Sequence, residues 1–352
     1  MAFTDTRRDD FLDVLKGIGI VLVYWGHSVF WGALASRAIF CFHMPLFFFV
    51  SGVLFRPERI ESLWRFLEKM WRGLLIPYLL FCYIGFVLRI DVVFKMWHDD
   101  ALRELLRIVH GEGSNAIWFL MCLASVQTIA WMAWRYAGLM RTKVCGAVAL
   151  VALTAAAQYV SVVRTGRVLD RIPFMLASVP CCMIFFVVGR LFRNRILLFG
   201  NGRVAVWRLI AALVALSGLF FCLCYYIDGT LDLRIACFHI RHLIPCLLGI
   251  GCACLLARMI ALSDRPKRVF AWLGRYSLCL FALELPVSHV LAKLTDVGFF
   301  DRMYQVQHTA TAVTTRFLIV LGVTALCARP MMSLIEVTRA FLCDGERKGG
   351  VL

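Results

Sequence analysis

Apolar residues run through this chain in long blocks, and the polar positions that interrupt them are few and localised. Ten blocks approach the roughly 17–25 residues that a helix needs to cross a bilayer. They lie near 11–30, 38–55, 73–90, 115–135, 144–163, 172–192, 204–227, 239–262, 270–291 and 309–336. A transmembrane barrel would alternate apolar and polar residues over segments of about ten, and no such alternation is present. The pattern predicts an all-α fold, a polytopic transmembrane helix bundle with about ten spans. No soluble domain, internal repeat or low-complexity linker separates from it, so residues 1–352 read as a single domain.

The polar interruptions carry the candidate chemistry, because an ionisable side chain inside a bilayer is costly and marks function by default. The first block, FLDVLKGIGIVLVYWGHSVFW, holds Asp13, Lys16 and His27. Lys16 and His27 are eleven residues apart, which returns to within about 20° of one helix face at a rise of roughly 16 Å. Gly17, Gly19 and Gly26 allow another helix or a ligand to approach closely. The second block, FHMPLFFFVSGVLF, holds His43. Pro45 biases the preceding residues away from helix, so His43 is expected on a short unwound entry to the span. Plainer roles stand beside these: a snorkelling flank for Lys16, an interhelical hydrogen bond for His27, an interfacial anchor for His43.

Glu284 is the other intramembrane charge, in LGRYSLCLFALELPVSHVL. Counted along one continuous helix from Phe270, it lies about 21 Å in, the same rise that separates His27 from Asp13. The three titratable groups His27, His43 and Glu284 would then share one depth in the outer half. Asn115 and Trp118 open the fourth block, and Arg241–His242 the eighth. They are candidates for lining an acceptor site, with an aromatic-belt role as the alternative for Trp118.

Composition sharpens the class. The 352 residues are 61% hydrophobic and 17% charged, with mean hydropathy +0.80; a soluble domain carries about 25% charged residues. The formal charge of +16 does not point to nucleic acid, because no basic, aromatic-interleaved soluble module exists. The cations cluster between spans instead. With the N-terminus inside, 25 of the 38 Lys and Arg residues fall on the inner side, so both termini are expected in the cytoplasm. The first block lacks a small-residue cleavage site and reads as a retained span. The fifteen cysteines are scattered through apolar helices without zinc-type spacing, so they read as small buried hydrophobes and no metal is expected.

Segment 56–72, RPERIESLWRFLEKMWR, reads as an amphipathic interfacial helix. Its bland role is headgroup anchoring; its sharper one is a basic platform for an anionic ligand arriving from the cytoplasm.

Several of these pieces match one family. Arg8 followed by LDVLKGIGIVLVYWGHS, then FHMPLFFFVSGVLF, then KMWRGLLIPYL, resembles the acyltransferase-3 family of integral membrane O-acyltransferases, in particular its fucose-O-acetylase-like, polysaccharide-modifying branch. WFLMCL and LGRYSLCLFALELP resemble weaker motifs of that family. The resemblance implies transfer of an acyl group, usually acetyl, from cytoplasmic acyl-CoA to a hydroxyl of a cell-envelope glycan or its lipid-linked precursor. Acyl-CoA is a donor substrate in that chemistry, with no bound cofactor, and membrane lipids are the surroundings in a bacterial inner membrane. His27 matches the essential first-span histidine and His43 the histidine of the second motif. Lys69 and Arg72 match a cytoplasmic R-x-x-R linked to donor handling; here the motif reads Lys-Met-Trp-Arg, which keeps the charge and loses one bidentate fork. Arg8, Asp13 and Lys16 are further inner-side polar residues of the matched stretch and are expected to bind substrate, Lys16 at the donor's phosphates. The family often has histidine before the proline where this chain has Glu284.

The expected catalytic group is thus His27, His43 and Glu284, with Lys16, Lys69, Arg72, Asp13, Arg8, Asn115 and Trp118 binding substrate. The rival class is a proton-coupled transporter or permease of a small polar solute, since intramembrane His and Glu also serve proton relays. The two similar halves with matching broken helices that such transporters often show are not visible here.

Overall fold

Each apolar block folds as helix, and a computed structural model describes residues 10–28, 32–88, 98–113, 117–138, 141–164, 172–201, 204–227, 231–294 and 310–348. In order these give α1 (Asp10–Ser28), α2 (Gly32–Leu54), α3 (Leu63–Met70), α4 (Ile76–Leu88), α5 (His98–Val109), α6 (Trp118–Ala137) and α7 (Lys143–Arg164). They continue with α8 (Val179–Asn201), α9 (Val206–Tyr226), α10 (Leu243–Ile260), α11 (Asp264–Arg275), α12 (Ser277–Leu294) and α13 (Ala310–Lys348). No β-strand occurs among the described residues.

Among the described residues seven helical segments are long and apolar enough to cross a membrane, or eight if the broken pair α11–α12 counts as one span. All ten predicted blocks contain helix, but α1 and α6 fall outside the set of seven. The reason for α1 is visible in its first turns, where Asp10, Asp13 and Lys16 dilute the apolar run. On α7 and α9 large apolar side chains such as Val144, Val148, Val151, Trp207 and Val214 are exposed. Apolar surface on that scale is unstable in water and suits lipid.

The chain divides into two compact units. The first comprises Met1–Leu54, Phe185–Asp232 and His239–Ser277; the second comprises Phe55–Ile184, Leu233–Phe238 and Leu278–Leu352. In the first unit α1 is buried on nearly every face, with Phe11, Leu12, Val14, Leu15, Ile18, Ile20, Val23 and Tyr24 all inaccessible. It packs most extensively on α11. Glycine permits this: a methyl on Gly17 would stand 2.9 Å from the carbonyl carbon of Phe270, and one on Gly274 2.6 Å from that of Asp13. The backbones of α2 and α8 meet in the same way through Gly52 and Gly189.

Three expectations about helix boundaries are corrected. The second span starts at Gly32, so His43 lies inside α2 and not on an unwound entry, with Pro45 as an internal proline. Proline lacks the N–H that would bond the carbonyl four residues back, that of Cys41. The Cys246 thiol on α10 donates to that carbonyl at 2.9 Å, which replaces the missing bond and lets the helix continue.

The amphipathic segment does not form one helix over 56–72. A 3-10 turn spans Pro57–Arg59, Ser62 caps α3 by accepting from the Arg65 N–H at 3.3 Å, and helical structure then runs on toward α4. Between them, Trp71–Leu75 forms a turn of π-helix.

The ninth block is not one continuous helix either. It breaks at Tyr276, whose φ of −95° and ψ of 10° lie outside the helical well. The 21 Å rise from Phe270 to Glu284 therefore does not exist, and the depth argument that grouped Glu284 with the two histidines falls with it.

Candidate active site

The first unit holds the two histidines on neighbouring helices, α1 and α2. His27 is half-buried near the end of α1, and His43 is buried at 5% exposure in the middle of α2. The ring of Phe40 joins them. Its centroid is 6.3 Å from that of His27 and 5.2 Å from that of His43, edge-on to the latter. One helical turn below, Ile39 offers its carbonyl oxygen 2.9 Å from His43 Nδ1. A carbonyl only accepts, so Nδ1 carries the proton and the neutral ring keeps its lone pair on Nε2. Helix geometry thus selects the tautomer of His43. Within the same unit α10 packs on α2 and α1, and buried His242 stands one turn before Cys246.

The opposite end of α1 carries charge. Asp13 is 2% exposed and lies 2.6 Å from Lys16 Nζ and 3.6 Å from Arg275 Nε on α11. Asp10 pairs with Lys267 at 3.0 Å and with Arg275 at 3.5 Å. A buried carboxylate needs such partners, because an unpaired one is strongly destabilising. Lys16 and Asp13, predicted to bind substrate, are therefore joined to each other and to α11. The Arg275 partner was not visible in the sequence, since nothing in a pattern of helices says which basic residue, here 262 positions along the chain, meets Asp13 in space.

In the second unit, Lys69 is exposed on α3 and Arg72 sits in the π-turn, its Nη2 2.8 Å from Glu68 Oε1. The π-turn has a local consequence. The Ile76 N–H, which in an α-helix would bond Arg72, goes to the Trp71 carbonyl, and Pro77 has no N–H to offer. The Arg72 carbonyl is left without a backbone donor, and Arg339 on α13 supplies one, Nε to O at 2.7 Å.

Glu284 is also in this unit, 3% exposed on α12 and one turn from Phe281, whose ring meets Phe119 at 5.6 Å. Trp118 precedes Phe119 and is 7% exposed. A membrane-belt aromatic faces lipid, so the belt alternative for Trp118 is overturned by its burial. Arg8 and Asn115 lie outside the described residues. Among the described residues no group of three or more His, Cys, Asp and Glu side chains is arranged to hold a metal ion.

Comparison with known proteins bears on this arrangement. The model of the acyltransferase-3 family, described as an acyltransferase domain, matches residues 9–329 and so runs through both units. Nodulation protein NolL of Mesorhizobium japonicum is 30% identical over 125 residues, covering 32% of this chain and 33% of that protein. The chain thus aligns with only about a third of that curated relative's length. No solved structure matches. A family match across both histidines, the basic Lys69–Arg72 pair and Glu284, on a chain whose described residues are largely helical and rich in membrane-crossing segments, leads to one conclusion: the chain is an integral membrane protein of the acyltransferase-3 family.

Proposed function

We propose that this protein moves an acyl group, acetyl in the first instance, from cytoplasmic acyl-CoA to a hydroxyl of a cell-envelope glycan or its lipid-linked precursor. The observation that carries the reading is the pair of imidazoles on α1 and α2, flanking the aromatic ring of Phe40. His27 acts as general base. It takes the proton of the acceptor hydroxyl as the oxygen attacks the thioester carbonyl. The tetrahedral intermediate collapses, the C–S bond breaks, and the coenzyme A thiolate leaves with the proton that His27 gives back. The products are the O-acyl ester and free coenzyme A. His43, with Nε2 available, orients the reacting groups or polarises the carbonyl. An acyl-His27 intermediate satisfies the same balance in two steps.

Lys69 and Arg72 receive the donor's phosphates, as exposed and half-exposed cations at the start of the π-turn. Lys16 is a weaker candidate for that task, because Asp13 already neutralises it at 2.6 Å. Glu284, Trp118 and Asn115 are proposed on the acceptor side. The protein would sit in a bacterial cytoplasmic membrane with both termini inside. The test is mass spectrometry of envelope glycans from cells with and without the protein. Loss of an ester-linked acyl group supports the reading, and identical glycan profiles count against it.

A further inference from the structure

The donor end of the second unit contains one cation that no motif announces. Arg339 lies on α13, ten residues beyond the segment matched by the family model. Its Nε is committed to the Arg72 carbonyl at 2.7 Å, so the two guanidinium-bearing residues are held side by side. Arg339 is also close enough to Cys279, near the start of α12, to act on it electrostatically. Among the described residues no carboxylate lies within ion-pair distance of Arg339. Arg72 has Glu68, but its own Nε is buried without a hydrogen-bond partner.

Satisfying the orphaned Arg72 carbonyl does not require a guanidinium: any donor of the right length serves. What the guanidinium adds is a fork. With Nε used, Nη1 and Nη2 remain, and a planar fork held at one corner is preorganised for the bidentate geometry of a phosphate. Arg72 and the Arg339 that it holds lie one helical turn from Lys69, and Glu68, paired to Arg72, offsets one of these three cations, so a phosphate would complete the set.

We propose that Arg339 binds a phosphate group of the acyl donor together with Arg72, so that α13 supplies half of the donor's phosphate clamp. The proposal rests on the reading above that a coenzyme A thioester docks at Lys69 and Arg72. In the donor-free state Glu68 occupies Arg72, and the arriving phosphate displaces it. The clamp also supplies a second guanidinium beside the one that the motif retains. This chain has lysine at the motif's first position, and Arg339 provides the fork that lysine does not.

The experiment titrates the purified full-length protein in detergent with coenzyme A, and separately with pantetheine, which has the same arm and no phosphate. Tryptophan fluorescence reads binding, since Trp64 and Trp71 flank the site. Arg339→Gln should weaken coenzyme A roughly ten- to a hundredfold, the size expected for losing a charge-assisted hydrogen bond. Pantetheine binding should not change. Arg339→Lys keeps the charge without the fork, serves if the glutamine variant folds poorly, and should fall between. Equal losses for both ligands would mean that Arg339 only supports the helices, and unchanged coenzyme A binding would mean that it does not touch the donor; either overturns the proposal. If Arg72→Gln and Lys69→Gln also leave coenzyme A binding unchanged, the donor-docking reading itself fails. If they weaken it while Arg339→Gln does not, only the role of Arg339 fails.

Discussion

Replacing Gly274 by alanine tests whether the contact between α1 and α11 organises the charged end of the first unit. The added methyl would stand 2.6 Å from the Asp13 carbonyl carbon and 3.0 Å from its Cα, where ordinary contacts run 3.4–4 Å. The obstacle is backbone, so no side chain can swing away, and α11 must retreat by about 1 Å at this crossing. Overpacking of this kind costs about 1–3 kcal/mol. The retreat also lengthens the Asp13–Arg275 contact, already 3.6 Å, and strains both pairs to Asp10. Asp13 keeps Lys16, so the full cost of about 3–5 kcal/mol for a broken buried pair is an upper limit. Against this stands the helix propensity of alanine over glycine, worth about 1 kcal/mol. Gly218 and Gly322 provide the control, since a Cβ there would meet nothing within 4 Å. Gly218→Ala and Gly322→Ala should be neutral or slightly stabilising. Gly274→Ala should be less stable than either by about 2–4 kcal/mol. The assay is thermal unfolding of the purified protein in detergent, followed by the monodisperse fraction on size exclusion. A Gly274→Ala protein that melts with the two controls would refute the account of the α1–α11 crossing.

Two further outcomes follow from the histidine unit. Cys246→Ala should cost about 0.5–1.5 kcal/mol by removing the donor to the Cys41 carbonyl, and the cost should largely vanish in a Pro45→Ala background, where residue 45 regains its N–H; a double-mutant cycle in the same melting assay reads the coupling, and strict additivity would contradict it. His43→Asn retains a donor near the position of Nδ1 but loses Nε2, whereas His43→Ala loses both. If Nε2 does the chemistry, the two variants should lose activity alike while the asparagine variant melts closer to wild type; recovered turnover with asparagine would assign His43 a purely structural role.

Much of the fold was legible because a membrane helix announces itself by length and apolarity, and all ten blocks contain helix. The two histidines stood out for the same reason, as polar residues in apolar runs. What the pattern did not carry is partner choice over long separations. The carbonyl that Pro45 leaves without its helical donor is served by a thiol 205 positions from Cys41, which the rule about proline does not contain. The pairing of Asp13 with Arg275 was not legible, because the arginine belongs to another helix. The break at Tyr276 carries no glycine or proline at the site itself, so periodicity ran straight through it, and the rise counted along one helix to Glu284 has no basis. The π-turn at Trp71–Leu75 was similarly hidden, although it turns the Ile76 N–H away from the Arg72 carbonyl and Pro77 has none to offer in its place. Arg339 then enters from a helix whose sequence reads only as another apolar span.

In the proposed mechanism His27 moves the proton in an acyl transfer. Its most direct test supplies isotope-labelled acetyl-CoA to purified protein in liposomes containing envelope glycan, and follows label into an ester-linked product. Wild type should transfer label, and His27→Ala should lose it by about 10²–10⁴-fold with its melting temperature unchanged. Near-normal transfer by a folded His27→Ala protein would contradict the account.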